Sequence, residues 1–442
     1  MFDPTRRMTR PTIHARRRAW LLVALALAAA ALGVSFVRRP GDFAGYLVIG
    51  NLALDGRHLY DDAPVGVSTW PPFFSLLCVP LALLARVSLV LARGLWIALN
   101  YALLVLVLGL AGRLVYGRAV RWRPRPGELA ITSGAVLIPL LLTWRYVASN
   151  FEHLQVNIAI FALTLGGLHL IHERREVSGG LALGCAAALK VMPALFIPYL
   201  AYRRRWRAAA LAAAATALLS VTPVAVYGWS RFVDYVGAWV EAVRRGWSVG
   251  KMNLSVYAMW DRIVGHGLVP FAVPGFNELR PSGDPRVAVA LALSLAAVTV
   301  LALWTFGAGS HDERRARLAE WSIVFLLAAL FGTVAWKAYL VVMLLPAMLL
   351  YEVWRSPDVA PDLRRGAALT LAASFVLGGL TSDDLIGTSL AWRLEMGSIV
   401  TLAALVQLGG LLWLRWNLAR DAVPPGAAGA ARPGRLPPRP AS

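Results

Sequence analysis

Cysteine is nearly absent from this chain. Two occur in 442 residues, Cys78 and Cys185, both inside apolar runs, where they read as small buried hydrophobes. No disulfide framework and no Cys/His metal cluster exists, and no metal or cofactor is expected. Lysine is scarce as well. Lys190, Lys251 and Lys337 are the only three, so arginine supplies nearly all of the 44 basic residues. Charge of either sign is thin: 15% of residues are charged and 58% are apolar, with a mean hydropathy of +0.61, whereas a soluble domain is about a quarter charged. Disordered and fibrous chains are excluded by the same balance. Internal repeats, heptads and a glycine-rich nucleotide motif are also missing, so no soluble ATP or sugar-nucleotide domain is present. Any chemistry must therefore use substrates reached from the membrane or from the outer aqueous face. The net charge of +20 belongs with a membrane rather than a nucleic acid, because its distribution is one-sided.

What the chain does have is a series of apolar runs. A helix needs about 20 apolar residues to cross the hydrocarbon core. Such runs cover about 19–37, 87–113, 128–146, 154–171, 208–227, 286–308, 319–335, 337–353, 367–380 and 393–416. The first follows arginines and holds small residues at Ala29 to Ala31, as a signal peptide would, but the many later runs favour an uncleaved anchor. Residues 71–85 begin with two prolines and are short for a crossing. Residues 179–202 read either as one span or as two short helices broken at Lys190-Val191-Met192-Pro193, since proline cannot continue a helical ladder. With 71–85 re-entrant and 179–202 a hairpin, the chain has twelve spans and cytoplasmic termini. Basic residues then gather on the cytoplasmic side, 28 of the 44, in 1–18, 113–125, 174–175, 203–207, 314–317, 355–365 and 415–439. Net charge is +17 inside and +3 outside by that division, in keeping with the positive-inside rule.

The expected organisation is an all-α polytopic bundle. A basic cytoplasmic N-terminus (1–18) precedes a membrane domain (19–418) with outer loops at 38–70 and 228–285. A Pro/Gly/Arg-rich tail (419–442) cannot bury a core and reads as disordered. The excess of arginine over lysine, with abundant alanine, matches a GC-rich bacterial genome and hence a bacterial plasma membrane.

In this topology the three lysines, Asp42, Glu152, His153, Asp383 and Asp384 share the face opposite the arginine-rich loops. Ionisable groups at membrane depth are costly and tend to mark function, although each alone also reads as an ordinary interfacial charge. Asp42 follows the first span, in Arg38-Arg39-Pro40-Gly41-Asp42-Phe43-Ala44-Gly45-Tyr46. A carboxylate at the water–membrane boundary can take a hydroxyl proton, and the two arginines would keep it ionised. It serves equally well as an N-cap for Phe43–Leu54. Lys251 sits in a loop and reads as solvated.

Further motifs follow in order. Gly41-Asp42-Phe43-x-x-Tyr46 is followed by Leu54-Asp55-Gly56-x-x-Leu59-Tyr60 and by Trp70-Pro71-Pro72 with Pro80. Gln155-x-Asn157 opens a span, and Ala188-Leu189-Lys190-x-x-Pro193 precedes Arg203-Arg204-Arg205-Trp206-Arg207. Asn253-x-Ser255 and Arg262 fall in the large outer loop, and Trp336-Lys337-x-Tyr339 comes before Pro346. This order resembles the GT-C class of polyprenyl-phosphate-sugar-dependent glycosyltransferases, and within it glycosyltransferase family 87. The resemblance covers roughly residues 35–350. Relatives often carry glycine where this chain has Leu154, and a histidine pair where it reads Ala338-Tyr339.

The resemblance implies a GT-C bundle that transfers one sugar, mannose first, from a polyprenyl-phosphate donor to a glycolipid or other cell-envelope acceptor at the outer face, with inversion. Asp42 would deprotonate the acceptor. Lys337, Lys190 and Arg262 would bind the departing phosphate, or else snorkel. Lys337 replaces the missing histidine contact. Gln155, Asn157 and Asn253 would hydrogen-bond sugar hydroxyls or satisfy helix ends, and His153, Trp336 and Tyr339 complete the substrate site. Trp70, Trp247 and Trp336 offer faces for sugar stacking. Implied partners are the lipid-linked donor, the acceptor and membrane lipid, with no nucleic acid. Two other readings stand beside this one: a pentosyl (arabinofuranosyl) donor, and a lipid or sugar-lipid transporter with a helix broken near Pro193. An acyltransferase would need a membrane histidine, and His169 and His172 lack a suitable partner.

Overall fold

In hydrocarbon every backbone N–H and C=O must find a partner within the protein, and for so apolar a sequence helices are the simplest solution. The computed structural model describes residues 13–61, 69–244, 248–267 and 279–420, most of them helical. The described strands are one parallel pair of two residues each, Val120–Arg121 against Leu129–Ala130. Most of the basic N-terminus and of the tail lies outside the described residues, as do Asp62 and Trp247.

The first helices are α1 (Ile13–Val37), the short α2 (Phe43–Leu54), α3 (Pro72–Val87) and α4 (Leu89–Tyr116). Ser88 alone separates α3 from α4; its backbone is extended and its hydroxyl accepts from the Leu91 N–H, a standard N-cap. The 16 residues of α3 span about 24 Å, short of a hydrocarbon core of about 30 Å. The expected run at 128–146 is two helices, α5 (Gly134–Leu142) and α6 (Trp144–Glu152), so the chain stays helical beyond the predicted end.

Next come α7 (Asn157–His172) and α8 (Glu176–Leu189). They pack at close range because Gly167 and Gly179 face each other. A Cβ on either would lie 2.9 or 2.6 Å from the other's carbonyl oxygen, the small-residue contact usual between membrane helices. Lys190 then turns extended (φ −155°, ψ 125°). Pro193 offers no N–H, and the chain restarts as a 3-10 turn at Met192–Leu195 leading into α9 (Phe196–Tyr202). Of the two readings of 179–202, the broken one is observed.

The remaining helices are α10 (Trp206–Val221), α11 (Val224–Tyr227), the amphipathic α12 (Trp229–Arg244), α13 (Val256–Trp260), α14 (Pro285–Gly307) and α15 (Glu313–Leu330). The last two begin at aspartates: Asp284 accepts from the Arg286 N–H and Asp312 from the Arg315 N–H. A 3-10 segment, Lys337–Met343, leads into α16 (Leu344–Arg355), and α17 (Pro361–Gly378), α18 (Asp383–Ile386), α19 (Thr388–Met396) and α20 (Ile399–Arg420) complete the chain.

Among the described residues six helical segments are long and apolar enough to cross a membrane: Trp20–Val37, Leu89–Tyr116, Trp206–Tyr227, Pro285–Gly307, Lys337–Arg355 and Ile399–Arg420. Five shorter apolar helices accompany them, including Asn157–His172 and Glu176–Leu189. Enclosure separates the six. Lys337–Arg355 is 83% buried and sits at the centre, whereas Trp20–Val37 at 6% and Pro285–Gly307 at 11% are peripheral. Large apolar side chains such as Leu27, Leu106, Leu218, Leu293 and Trp304 face outward, as lipid contact requires. The chain is an all-α membrane protein.

Candidate active site

Gly41 sets the first element of the site. Its φ of +48° is left-handed, and a Cβ there would lie 2.5 Å from the His153 carbonyl oxygen, so only glycine lets the chain approach the α6–α7 connection this closely. The next residue uses that approach, and the Asp42 N–H donates to the His153 carbonyl at 2.8 Å. Asp42 stands at the N-cap position of α2, yet its side chain makes no capping bond. Its Oδ2 accepts from Gln155 Nε2 instead.

A relay follows. Gln155 Oε1 accepts from Asn157 Nδ2 at 3.1 Å, and Asn157 Oδ1 accepts from Lys190 Nζ at 2.5 Å. The Lys190 ammonium lies 3.5 Å from the centroid of the Tyr339 ring, a cation–π contact. Four separate segments thus bring Asp42, Gln155, Asn157, Lys190 and Tyr339 into one line. Because Gln155, Asn157 and Lys190 are buried, their mutual bonds cannot be exchanged cheaply for water. Burial raises the Asp42 carboxyl above its ordinary value, while His153, Lys190 and the Gln155 bond pull it down. The groups favouring its charged form are therefore not Arg38 and Arg39, the pair indicated by the sequence; the Arg39 guanidinium lies 5.9 Å from the Phe36 ring.

The turn that presents Gln155 is strained. Leu154 sits at φ +50°, a region costly for an L side chain, which accounts for glycine at this position in the resembled family. Trp96 Nε1 holds the Leu154 carbonyl at 2.9 Å, and the Gln155 N–H donates to the Asn150 carbonyl at 2.8 Å. His153 Nδ1 meets the Ser149 carbonyl at 3.0 Å.

A second cluster forms around Glu395, which is fully buried. Its Oε1 accepts from Arg145 Nη2 at 2.5 Å and pairs with Lys337 Nζ at 2.6 Å. Arg145 also donates to the Gly378 carbonyl at 2.6 Å and to Thr381 Oγ1 at 3.1 Å. Lys251 is buried rather than solvated, with its ammonium 3.4 Å from the centroid of the Trp392 ring. Arg145 and Glu395 were not singled out by sequence reasoning. The available signal was an ionisable residue inside each of the apolar runs 128–146 and 393–416, a placement that demands a partner.

Arg262 and Asn253 do different work. Arg262 is 2% exposed; its Nη1 donates to the carbonyls of Val249 (2.7 Å), Gly250 (3.0 Å) and Asn253 (3.0 Å), and its Nε and Nη2 reach Ser398 Oγ. Asn253 donates to the Thr333 carbonyl at 3.0 Å and accepts from the N–H groups of Ser255 and Ala335, each at 3.1 Å. Both side chains bracket the 248–255 segment, and with it Lys251, against α20 and the 333–335 turn. Trp70 packs on Tyr46 (4.9 Å) and Phe74 (5.1 Å) in an aromatic core.

A cavity of about 870 Å³ joins the two clusters. Gln155 and His153, the partners of Asp42, line it together with Arg145, Lys251, Trp336 and Lys337. Arg39, Glu152, Asp383 and Asp384 also face it. Asn253 and Arg262 do not belong to its wall. Asp42 itself is not part of the wall; the wall holds the side chains that orient its carboxylate, and a patch where Arg145 and Lys337 share Glu395 with Lys251, Asp383 and Asp384 beside them.

Comparison with known proteins identifies the family. The family model described as glycosyltransferase family 87 matches residues 69–333, more than half of the chain, including Gln155, Asn157 and Lys190 and stopping just before Lys337. A polyprenol-phosphate-mannose-dependent alpha-(1-2)-phosphatidylinositol mannoside mannosyltransferase of Mycobacterium tuberculosis is 28% identical over 435 residues, 91% of this chain and 90% of that one. Its namesake from Mycolicibacterium smegmatis is 28% identical over 345 residues, 72% of each chain. A polyprenol-phosphate-mannose-dependent alpha-(1-2)-phosphatidylinositol pentamannoside mannosyltransferase of Mycobacterium tuberculosis is 27% identical over 370 residues, 78% of this chain and 74% of its own. No solved structure matches.

Proposed function

The chain belongs to glycosyltransferase family 87 and is a membrane glycosyltransferase, and from that premise we propose that it moves mannose from a polyprenyl-phosphate donor to a glycolipid acceptor in one inverting displacement at the outer face, with Asp42 as general base. The acceptor oxygen attacks the anomeric carbon from the side opposite the phosphate. Its proton passes to Asp42, and the bond to phosphate breaks with the electron pair leaving on polyprenyl phosphate. Such a leaving group carries its charge without being protonated. The site therefore needs one base and a cationic pocket, where glycoside hydrolysis needs two carboxylates.

The observation that carries the reading is the single cavity whose wall holds both the partners of Asp42 and the Arg145–Lys251–Lys337 cluster. A carboxyl raised by burial is a stronger base than an ordinary one, and Gln155 fixes its orientation. Lys337 and Lys251, beside the Arg145–Glu395 pair, bind the donor phosphate. Lys190 holds Asn157 and Gln155 in line and acts on Asp42 through them. Arg262 and Asn253, proposed from sequence as substrate ligands, are reassigned to the frame that presents Lys251. Trp336, Tyr339 and His153 shape the sugar pocket. The positive-inside division of a twelve-span chain supports an outer site. The names of the relatives favour mannose over a pentosyl donor, and phosphatidylinositol mannosides are the first acceptors to try. Membership of a glycosyltransferase family sets aside the transport reading.

The test is transfer by the purified protein from labelled β-linked polyprenyl-phosphate-mannose, and separately from the arabinose analogue, to phosphatidylinositol mannosides. Labelled α-mannoside is expected from the first donor only. Transfer from the arabinose donor alone would replace mannose by a pentose, and a β-linked product would exclude inversion.

A further inference from the structure

A second polar cavity lies at the far end of the bundle from Asp42. It encloses about 470 Å³ where α7, α9, α15 and α20 meet the Gly307–Ser310 connection. His172, at the end of α7, lines it, whereas Asn157 at the start of the same helix belongs to the Asp42 relay; the 16 residues between these ends span about 24 Å.

Four arginines line this cavity: Arg203, Arg205, Arg317 and Arg415. Two are largely consumed by the fold. Arg415 is 2% exposed and pairs with the buried Glu320 at 2.9 Å, while its Nη2 holds the Ala308 carbonyl at 2.6 Å. Arg203 reaches Glu320 at 3.4 Å and the Phe306 carbonyl at 3.2 Å. Donors are nevertheless left over. Arg415 Nη1 and Arg317 Nε are buried and have no hydrogen-bond partner among the described residues. Arg205 has only a loose partner, Glu176 at 3.7 Å. The carboxylates available are Glu313 in the lining, Glu320 behind it and Glu176 beside Arg205, so the four arginines leave an excess of one positive charge.

Buried guanidinium donors without acceptors are costly, and the acceptor that best matches a set of converging guanidinium forks is a phosphate. We infer that this cavity binds a phosphate group on the face opposite the Asp42 site, either the headgroup of an anionic phospholipid or a free phosphate. The site holds Arg205 and Arg317 as its adaptable ligands and Arg415 as a fixed one. Its volume exceeds that of a phosphate ion several-fold, which leaves room for an organic substituent. The inference is independent of the sugar, the acceptor and the role of Asp42.

The test uses full-length protein and the variant R205Q/R317Q, which leaves the Arg415–Glu320 pair intact. In a neutral detergent, inorganic phosphate at matched ionic strength against chloride reports the free-phosphate arm through thermal unfolding. Phosphatidylcholine nanodiscs with and without phosphatidylglycerol report the lipid arm. The wild type should be stabilised by one of these probes, and the double variant should need roughly tenfold more of it or more, as loss of charge-assisted contacts implies. Glycosyl transfer should be unchanged in R205Q/R317Q, which also shows that it folds. If the double variant does not fold, R317K, which keeps the charge and loses the fork, should show a smaller loss in the same direction. Stabilisation by neither probe, or equal stabilisation of wild type and variant, would overturn the inference.

Discussion

Lys337 and Glu395 allow the donor-phosphate assignment to be separated from simple ion pairing. The Lys337 side chain is 23% exposed and shares the Glu395 Oε1 with Arg145. Lys337→Met therefore leaves Glu395 neutralised by Arg145, and the stability loss should be about 1 kcal/mol, the worth of a partly exposed pair. Glu395→Gln is different, because it removes the only carboxylate between two cations, one of them 9% exposed. Loss of one partner from a buried pair costs about 3–5 kcal/mol. In the double variant the repulsion between Arg145 and Lys337 is gone, so its loss should be smaller than the sum of the single losses. Function should divide along another line. Lys337→Met removes one charge-assisted contact to phosphate, which raises the donor KM about 10- to 100-fold, and acceptor KM stays near wild type. Lys337→Arg should recover part of the loss, since a guanidinium binds as a fixed fork rather than a point charge. Unfolding in detergent gives the first set of values and donor titration the second. An unchanged donor KM in Lys337→Met, alongside a raised one in Lys251→Met, would reduce Lys337 to a partner of Glu395.

Three further outcomes are expected. Leu154→Gly should be at least as stable as Leu154→Ala in thermal unfolding, reversing the usual order, because glycine recovers about 1–2 kcal/mol of left-handed strain. Arg262→Met should lower stability in thermal unfolding by about 3 kcal/mol or more, since it strips a charged donor from several buried carbonyls, and in the surviving folded enzyme a loosened Lys251 should raise the donor KM while the acceptor KM stays near wild type. With Cys185 replaced by serine, cysteines at Ala119 and Val177 should be shielded from an impermeant thiol reagent in intact cells while one at Ser282 is labelled; labelling at Ala119 would overturn the twelve-span topology.

The apolar runs made most helices legible. Residues 286–308 were expected as a span and Pro285–Gly307 is helical; the break at Lys190–Pro193 followed from a proline without an N–H, and it is present. Hydropathy served less well where a helix continues past its apolar part, as at Trp144–Glu152, whose side chains are mixed. The Gln155, Asn157 and Lys190 motifs were visible as spacings, but their linkage into one relay depends on four segments meeting, which periodicity does not encode. Arg262 and Asn253 illustrate the converse. Their residue types suit ligand binding, and only the surrounding carbonyls and N–H groups reveal them as structural brackets. Glu395 and Arg145 were hidden inside apolar runs because each finds its counter-charge across about 250 residues of chain, a pairing of the kind that buried charge requires.

The central claim is that Asp42 takes the acceptor proton, and Asp42→Asn tests it most directly, since the amide keeps the size and can still accept from Gln155. Burial raises the Asp42 carboxyl, so its charged form is disfavoured in the folded state and the neutral amide removes that cost. The variant should therefore unfold at the wild-type temperature or slightly above it at neutral pH. Its rate of mannosyl transfer should fall about 10²- to 10⁴-fold, the usual worth of a positioned base. In the wild type, activity should decline as pH falls through a value raised above that of an ordinary aspartate, and that acid limb should vanish from the residual activity of Asp42→Asn. Near-wild-type transfer by a folded Asp42→Asn, with the acid limb intact, would contradict the assignment.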